Sequence, residues 1–422
     1  MQRSRSHSHR HRALSTLLLL GTATAAAQSY RIRELPPLSP TGESFGIGIN
    51  ESGVVVGQGR TSTGTYSAIR WIAGAPVEFD PAPTFSTSIA FDVSNDGRFV
   101  GRSGASCGST VPSFWENDQL ALAQGAPRMY AEVYRINDTG VAVGEALDSC
   151  SRPWNDSGYE WRWDSQSSAW VITPLLPLTG DPETGAYDLN DAGVIVGFSG
   201  NSGSAHLRAV RWDNGTPSLL PDLGGDYSIA AGINSIGQVA GYSRTSSGAF
   251  RAYFFNGAIA INLGTFPGYA YSAATRVNNA GTVIGHVFNT PGEATVWPYG
   301  FPDASQRAFI WRNGVFSYPL NLIAPGSGWS TLNGLRDINE RGQITGYGVR
   351  NGLNRGFLLT PECIFHGDLN NDGFINEADL GIVLASWDCA APSACLGDVD
   401  GDGDTDSSDL GILLAAFGTT CP

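Results

Sequence analysis

The chain has 422 residues, of which 15% are charged, and it contains 54 Gly and 23 Pro. This length allows two or three domains, or one large repeat domain with a small one. The formal net charge of −14 opposes binding to a phosphate backbone and excludes a nucleic acid as partner. Few charges with many Gly and Pro are typical of short strands joined by tight turns.

The N-terminus has the three parts of a secretory signal peptide. Residues 1–12 are basic, Leu17–Leu20 is an apolar run, and Ala25–Ala27 offers a cleavage site between small residues. We therefore predict a signal peptide over residues 1–27, cleaved near Ala27, and a mature protein that is extracellular or on the cell surface. No later segment approaches the roughly 20 apolar residues that a membrane span requires.

One motif recurs through residues 45–346: an apolar residue, Asn, two variable residues, Gly, and then an apolar stretch that ends in Gly. The Asn position is occupied in turn by Asn50, Ser94, Asn137, Asn190, Asn234, Asn278 and Asn339. The copies are 44, 43, 53, 44, 44 and 61 residues apart, and periods in this range indicate propellers and other repeat arrays. The Asn-x-x-Gly segment reads as a tight turn because Gly adopts positive φ at little cost.

Each period contains four strand-like segments, so we predict an all-β fold, a seven-bladed β-propeller over residues 28–362. The last copy lacks a fourth strand after Gly356–Thr360, whereas Tyr30–Leu38 matches a fourth strand with no blade before it. Pairing the two would close the ring and leave no open edge. Aromatic residues at one repeated strand position are expected in the core between blades: Trp71, Trp115, Trp163, Trp212, Phe255 and Trp311.

The repeated Ile-Asn-x-x-Gly-x-Val-Val-Gly followed by Arg-Ala-Phe-x-Trp resembles the HAF repeats of exported bacterial proteins. Its layout is similar to the blade of a WD-repeat propeller. The resemblance covers roughly residues 30–360 and implies the architecture, but no uniform activity.

A different pattern follows residue 363 and predicts two calcium ions. Oxygen ligands at loop positions 1, 3, 5, 9 and 12, a carbonyl at position 7 and Gly at position 6 match the twelve-residue EF-hand loop. The first loop offers Asp368, Asn370, Asp372, Phe374 (carbonyl), Asn376 and Asp379. The second offers Asp398, Asp400, Asp402, Asp404 (carbonyl), Asp406 and Asp409. Apolar residues at helical spacing follow each loop, so a small α-helical module is predicted over residues 363–422.

Aspartate at position 12 and the lack of a helix before either loop resemble type I dockerins, which dock onto cohesin domains. The resemblance implies a cohesin-like or surface protein as partner. Dockerins typically carry hydroxyl residues at positions 10 and 11. Ser407-Ser408 fit that pattern and Glu377-Ala378 do not, so a cohesin partner is expected on one face only, or the module acts simply as a cap or anchor.

Six cysteines in an exported chain favour disulfides. Cys107 and Cys150 follow their motifs at the same distance, which predicts that they pair across adjacent blades. The other four are Cys363, Cys389, Cys395 and Cys421. We expect bridges 363–389 and 395–421, each around one calcium repeat, although sequence alone allows other pairings.

No catalytic signature is present: the sequence lacks Gly-x-Ser-x-Gly, His-Glu-x-x-His, a phosphate loop and Cys-x-x-Cys. We therefore expect a secreted binding or attachment protein. The alternative is a polysaccharide-degrading enzyme, a glycoside hydrolase or lyase that carries the calcium module. Carboxylates clustered in the central funnel would favour the enzyme, and small apolar residues there would count against it.

The long insertions all fall on the propeller face opposite the Asn turns, which makes that face the expected binding face. Aromatic residues in these insertions suit stacking on sugar rings, so a glycan is the expected ligand. The candidate residues are Trp154, Trp297, Tyr299 and Trp329.

Overall fold

The computed structural model describes residues 29–72, 74–104, 109–122, 130–147, 157–164, 166, 169–204, 206–290, 306–362, 367–370, 374–390, 395–400 and 402–418. The predicted signal peptide, residues 1–27, lies outside these ranges. Within them, 28 strands form seven antiparallel sheets of four strands each. The seven sheets are the blades of a propeller, as the repeat count predicted.

Strands β2 to β17 form the first four blades. Blade one contains β2 (Ser44–Ile49), β3 (Val55–Arg60), β4 (Tyr66–Ile72) and β5 (Ala75–Phe79). Blade two contains β6 (Ser88–Val93), β7 (Phe99–Ser103), β8 (Val111–Glu116) and β9 (Gln119–Leu122). Blade three contains β10 (Tyr130–Ile136), β11 (Val141–Leu147), β12 (Ser157–Asp164) and β13 (Ala169–Pro174). Blade four contains β14 (Glu183–Leu189), β15 (Ile195–Asn201), β16 (His206–Asp213) and β17 (Thr216–Leu219).

The remaining strands complete the ring. Blade five contains β18 (Gly224–Ile233), β19 (Val239–Thr245), β20 (Phe250–Phe255) and β21 (Ala260–Gly264). Blade six contains β22 (Tyr271–Val277), β23 (Val283–Phe288), β24 (Arg307–Arg312) and β25 (Val315–Ser317). Blade seven contains β26 (Trp329–Ile338), β27 (Ile344–Arg350), β28 (Leu353–Pro361) and β1 (Tyr30–Leu35). Two helices follow, α1 (Glu377–Ala385) and α2 (Ser407–Ala415).

Strand β1 closes the ring, as the unmatched fourth strand predicted. It pairs antiparallel with β28, with Ile32 opposite Leu359 and Leu35 opposite Gly356. Because β27 starts beside the Asn turn of its blade and β28 runs back, β28 ends at the face that carries the Asn turns. We call this side the Asn-turn face.

The repeated asparagine joins each blade to the next. Its side-chain Oδ1 accepts the backbone N–H four residues later, as from Val54 to Asn50 at 2.9 Å, which holds the turn. Its Nδ2 donates to the carbonyl of the corresponding residue of the next blade, at 3.0–3.2 Å, in the pairs Asn50–Ser94, Asn137–Asn190, Asn190–Asn234, Asn234–Asn278, Asn278–Asn339 and Asn339–Asn50. The last pair carries this ring across the closure between blades seven and one.

Ser94 is the exception in this ring. Its hydroxyl bonds locally, to Asp96 Oδ1 at 2.6 Å and to the Arg98 carbonyl at 3.0 Å. No bond from Ser94 to Asn137 is found among the described residues. Six of the seven blade junctions therefore carry the amide bond.

A second repeated contact lies six residues before the asparagine, and sequence reasoning missed it. A hydroxyl at the start of the inner strand accepts a backbone N–H from the third strand of the preceding blade. The pairs are Ser44–Gly356, Ser88–Ala68, Thr184–Gly158, Ser228–Ala209 and Ser272–Ala252, all at 2.9–3.0 Å. The repeated Ser/Thr in the spacing Ser/Thr-x5-Asn is the signal that could have revealed it.

The core between blades is built on the repeated aromatic position, with one correction. Trp71, Trp115 and Trp212 are fully buried, as expected. In blade three the residue at that position is Trp161, which is fully buried, whereas the predicted Trp163 is 39% exposed. The prediction was two residues too far along the strand, and a shift of two keeps a side chain on the same face of a strand.

We predict that Ser94→Asn stabilises the propeller. The longer side chain can reach the Asn137 carbonyl and complete the ring, and one such hydrogen bond contributes about 1 kcal/mol. Thermal unfolding should show a rise in Tm of a few degrees. The matched control, Asn190→Ser, opens an intact junction and should lower Tm; equal Tm values for both variants and the wild type would contradict the role of the ring.

Removal of β1 should open the closed ring of blades and destabilise the propeller. A variant that starts near Gly42 leaves blade seven with three strands and an exposed edge at β28, which invites aggregation. We expect lower Tm and oligomers in size-exclusion chromatography. A monomeric truncation as heat-stable as the full chain would refute closure by β1.

Candidate functional site

A cavity of about 340 Å³ lies on the propeller axis and opens at the Asn-turn face. Its wall has three levels, each built from the same position of successive inner strands or turns. The deepest level is two residues before the repeated asparagine, the middle level is the asparagine itself, and the rim is the following residue. The cavity thus opens on the face opposite the one expected from the insertions.

The deepest level is a ring of seven residues, of which five are charged. It consists of Gly48, Asp92, Arg135, Asp188, Gly232, Arg276 and Asp337. Every inner strand has a β-bulge just before this position, and a bulge redirects the next side chain. A Cβ at Gly48 would lie 2.6 Å from the Phe91 carbonyl oxygen, so glycine allows the neighbouring blade to approach.

Arg135 is the centre of this ring. Its guanidinium donates to Asp92 Oδ1 at 2.8 Å and to both carboxylate oxygens of Asp337 at 2.9 Å, and Asp188 lies 3.6 Å from its Nε. All four side chains are more than nine-tenths buried. A buried ion pair of this kind is stabilising only because further hydrogen bonds satisfy the carboxylates.

Backbone amides of the next blade supply those bonds. Asp92 accepts from Ile136 N–H at 2.9 Å, Asp188 from Ile233 N–H at 2.9 Å and Asp337 from Ile49 N–H at 3.1 Å. Each aspartate therefore ties its own blade to the following one. The funnel does hold clustered carboxylates, the feature that would favour an enzyme, but their oxygens are used in holding the ring together.

Three of the bulge residues are aromatic and pack against one another. Phe91 packs edge-on against Tyr134, with ring centroids 5.7 Å apart, and Tyr134 lies at a tilt to Tyr187, with centroids 6.3 Å apart. All three are buried in one cluster.

The rim is acidic. Glu51, Asp138, Asp191 and Glu340 lie around the opening with Asn95 and Ser235. Several of them accept a backbone N–H from the preceding blade, as Asp138 does from Asn95 at 2.7 Å and Glu340 from Asn279 at 2.6 Å. The entrance to the cavity therefore favours cations and disfavours anions.

Burial raises the pKa of several of these carboxyl groups. It raises the pKa of Asp188 to about 7 and that of Asp92 to about 6, with Arg135 acting in the opposite direction in both cases. Burial, with the Glu51 carboxylate beside it, raises the pKa of Glu340 to about 7. The cavity thus changes its charge near neutral pH.

Of the four aromatic residues predicted to bind a ligand, the structure describes one, Trp329. Trp329 is only 9% exposed and packs edge-on against Phe357, with ring centroids 5.6 Å apart. Its ring is part of the core of blade seven, so the expectation that it forms a stacking platform is wrong. Trp154, Trp297 and Tyr299 lie outside the described residues.

The C-terminal module consists of two loop–helix repeats with the same local geometry. Helix α1 begins with Asn376 as N-cap and α2 with Asp406, and each has a reciprocal capping box with the aspartate three residues later. Those aspartates, Asp379 and Asp409, are loop position 12 and are fully buried. The cap residue is loop position 9, so the start of the helix and the end of the loop are one structure.

Each position-12 carboxylate is held by three backbone N–H groups. Asp409 accepts from Val399 at 2.6 Å, Asp400 at 3.1 Å and Asp406 at 2.8 Å. Asp379 accepts from the corresponding residues Leu369, Asn370 and Asn376 at 2.7–3.1 Å. Removal from water raises the pKa of Asp409, but these donors outweigh it and hold the pKa below its usual value.

The second loop gathers carboxylates. Oxygens of Asp398, Asp400 and Asp409 lie within 4.8 Å of one another, and so do those of Asp404, Asp406 and Asp409. The pKa of Asp400 is raised, first by partial removal from water and then by the neighbouring carboxylates. Hard oxygen donors in this density fit a Ca²⁺ ion. In the first loop Asp372 lies outside the described residues.

A small core joins the two repeats: Ile375, Val383, Val399 and Leu413 are buried together. The module also touches the propeller, because the guanidinium carbon of Arg341 lies 4.5 Å from the centroid of the Phe374 ring. Arg341 belongs to the Asn turn of blade seven and Phe374 is position 7 of the first loop. The module therefore lies at the Asn-turn face.

One disulfide is described, and it differs from the expected pairing. Cys389 is bonded to Cys395, with Cα atoms 5.6 Å apart, so neither 363–389 nor 395–421 forms. The bridge closes the short connection between the two repeats, where the Cys389 carbonyl also accepts the Thr405 N–H at 2.9 Å. Cys107, Cys150, Cys363 and Cys421 lie outside the described residues.

No family model matches the chain, and no curated protein matches it. Solved structures that resemble it include the β-propeller domain of the Trilobed protease from Pyrococcus furiosus (11% identity, TM-score 0.45, 76% of this chain and 95% of that one). Others are an oligogalacturonate lyase in complex with manganese (11%, 0.43, 80% and 94%) and the Aleuria aurantia lectin (11%, 0.36, 69% and 100%). These values are too low to carry an assignment of function. None of the helices in the described part of the chain has the length and apolar character needed to cross a membrane.

We predict that Asp188 makes the propeller less stable as pH rises from 5 to 8. Its pKa is about 7 in the folded state and near 4 when unfolded, so folding favours the protonated form and stability is lost as the proton leaves. The buried His286, whose pKa burial lowers to about 3, acts in the opposite direction. The measurement is therefore the Tm of Asp188→Asn minus that of the wild type.

This difference should increase from pH 5 to pH 8, because the amide stays neutral while the carboxyl group ionises beside Asp92, Arg135 and Asp337. Asp226→Asn is the control, since Asp226 is exposed and its hydrogen bond with Arg244 lowers its pKa. A difference for Asp188→Asn that does not change with pH would contradict the prediction.

Proposed function

We propose that the protein is an exported binding and attachment protein. Its C-terminal module binds two calcium ions and docks onto a cohesin-type or cell-surface partner, and its propeller presents a ligand-binding surface for a glycan. The resemblance to HAF repeats and to type I dockerins belongs to this proposal, as do export through the 1–27 signal peptide and an extracellular location.

The observation that supports calcium binding is that the aspartates at position 12 of the two loops have the same hydrogen-bond geometry. Two stretches 30 residues apart place a buried aspartate under three backbone N–H groups at loop positions 2, 3 and 9. Such a carboxylate has a fixed orientation at the end of its loop, as a metal ligand must. The carboxylates of the second loop then lie close enough for one ion to contact three of them.

When bound, calcium supplies the positive charge that these carboxylates lack. Asp368, Asn370, Asp372, Asn376 and Asp379, with the Phe374 carbonyl, would hold the first ion. Asp398, Asp400, Asp402, Asp406 and Asp409, with the Asp404 carbonyl, would hold the second.

Docking is supported by the surface of the helices. Positions 10 and 11 of both loops, Glu377-Ala378 and Ser407-Ser408, are exposed at the helix N-termini. Large apolar side chains at matching positions of the two helices are also exposed, including Leu384 at 56% and Leu414 at 52%. Exposed apolar residues at equivalent positions of a small module favour a protein partner.

Binding is favoured over hydrolysis for the propeller because the buried carboxylates of the axial cavity are bonded to Arg135 and to backbone amides. A glycosidase needs one carboxyl group free to protonate the leaving group and another free to act as base or nucleophile. The oxygens of the described carboxylates of the deepest level accept hydrogen bonds from Arg135 or from backbone N–H groups and are not presented to a substrate.

Calcium should fold the module. In the full chain, isothermal titration calorimetry should report two sites, and EDTA should reduce the helical circular dichroism because the loop carboxylates repel one another without metal. Asp398→Ala should abolish one site and leave the other, whereas Asp388→Ala, outside both loops, should leave two. No heat of binding together with unchanged spectra would refute the calcium arm.

A further inference from the structure

The junction between blades six and seven departs from the repeat and forms a second cavity. This groove has a volume of about 240 Å³. It lies at the start of β24, which is opposite Val287 near the end of β23, and therefore on the face away from the Asn turns. Its lining residues are Arg307, Ala308, Tyr318, Pro319, Leu320, Asn321, Ser330, Thr331, Leu332 and Asn333.

Arg307 occupies a position at the start of the third strand that is also arginine in blades four, five and seven. In blade four, Arg208 donates to Asp181 Oδ2 at 2.7 Å, whereas the arginines of blades five and seven bond to the next blade. Arg251 donates to the Ala270 carbonyl at 2.5 Å, and Arg355 donates to the carbonyls of Gly42 and Pro40. Ala270 and Gly42 both stand eight residues before the asparagine of the next blade. The arginine of these blades is thus a link to the following blade.

In blade six this link is replaced. Thr331 stands at the position of Ala270 and Gly42, but Arg307 donates to the side-chain Oδ1 of Asn333 at 3.3 Å. The cause is β26, whose pairing with β27 is irregular at three places, more than in any other described inner strand. A 3-10 helix, Pro319–Leu322, precedes that strand and forms the other wall of the groove.

The groove combines an aromatic ring, amides, hydroxyls and one guanidinium. Tyr318 is half-buried and stacks on Phe266, with centroids 4.0 Å apart and an interplanar angle of 8°, which fixes its orientation. Asn321 and Asn333 offer donors and acceptors, and Ser330 and Thr331 offer hydroxyls. None of the described lining residues is acidic, in contrast to the axial cavity.

We infer that this groove binds a sugar residue that carries a carboxylate, a uronate unit of an oligosaccharide. The fork of a guanidinium matches a carboxylate in geometry and charge. Amides and hydroxyls suit the hydroxyl groups of a sugar ring, and the apolar floor of Ala308, Pro319 and Leu332 suits its C–H face. The inference rests on the proposed glycan-binding role of the propeller and moves it from the predicted aromatic residues to this junction.

The test is calorimetry on the full chain with two probes, a uronate trisaccharide and its methyl ester. Wild-type protein should bind the acid form at least about tenfold more tightly than the ester, because the ester loses the charge-assisted bond. Arg307→Gln should lose about the same factor for the acid form alone. Tyr318→Ala should weaken both forms.

Arg251→Gln is the matched control, since it removes the same group from the same repeat position of blade five and should leave binding unchanged. Tm values of all variants establish that they are folded. The inference is overturned if folded Arg307→Gln binds the acid form like the wild type, if the wild type does not distinguish acid from ester, or if an acidic tripeptide binds equally well. Calcium titration of the same samples reports the docking module separately, so failure of the groove is distinguishable from failure of the calcium arm.

Discussion

The fold depends on one repeated hydrogen bond, which the side-chain amide of the turn asparagine donates to the backbone carbonyl of the corresponding turn residue in the next blade. A single blade of four strands cannot bury both of its faces, so blades must be held at a defined angle to their neighbours. The amide does this while its oxygen holds its own turn, which makes one residue responsible for both hairpin and junction. Because Asn339 bonds to Asn50, the two ends of the chain are held by the same interaction as adjacent repeats.

The blade count and the closing strand could be predicted from sequence because turns place strict demands on residue type. Gly53, for example, has a φ of +79°, which favours glycine and makes the motif visible. The hydrogen bond from Asn50 to the next blade could not be predicted from sequence, since the need for a tight turn already accounted for an asparagine at this position. Trp163 was predicted in place of Trp161 because blade three carries an insertion before β12 that shifts the spacing, and both residues are tryptophans.

The calcium loops and the axial ring of charges differ in how close together their residues lie in the sequence. The calcium ligands come from twelve consecutive residues each, so their spacing is readable. The Cys389–Cys395 bridge depends on how the two repeats pack, and the spacing of cysteines in the sequence does not show that packing.

The axial charges could not be predicted for another reason. Their position holds Gly48, Asp92 and Arg135 in successive repeats, and a site formed by residues that differ between repeats leaves no motif in the sequence. Trp329 was misplaced because β26 extends into the inserted segment and buries its first residue.

Because β28 ends on the Asn-turn face, the two faces of the propeller are not equivalent with respect to the C-terminal module. The chain leaves the propeller there, and Arg341 against Phe374 keeps the first loop of the module on that side. The junction groove of blades six and seven opens on the other side. If the module anchors the protein to a scaffold, the axial cavity faces the anchor and the groove faces outward, so the protein works as a spacer that displays one surface to the surroundings and shields the other.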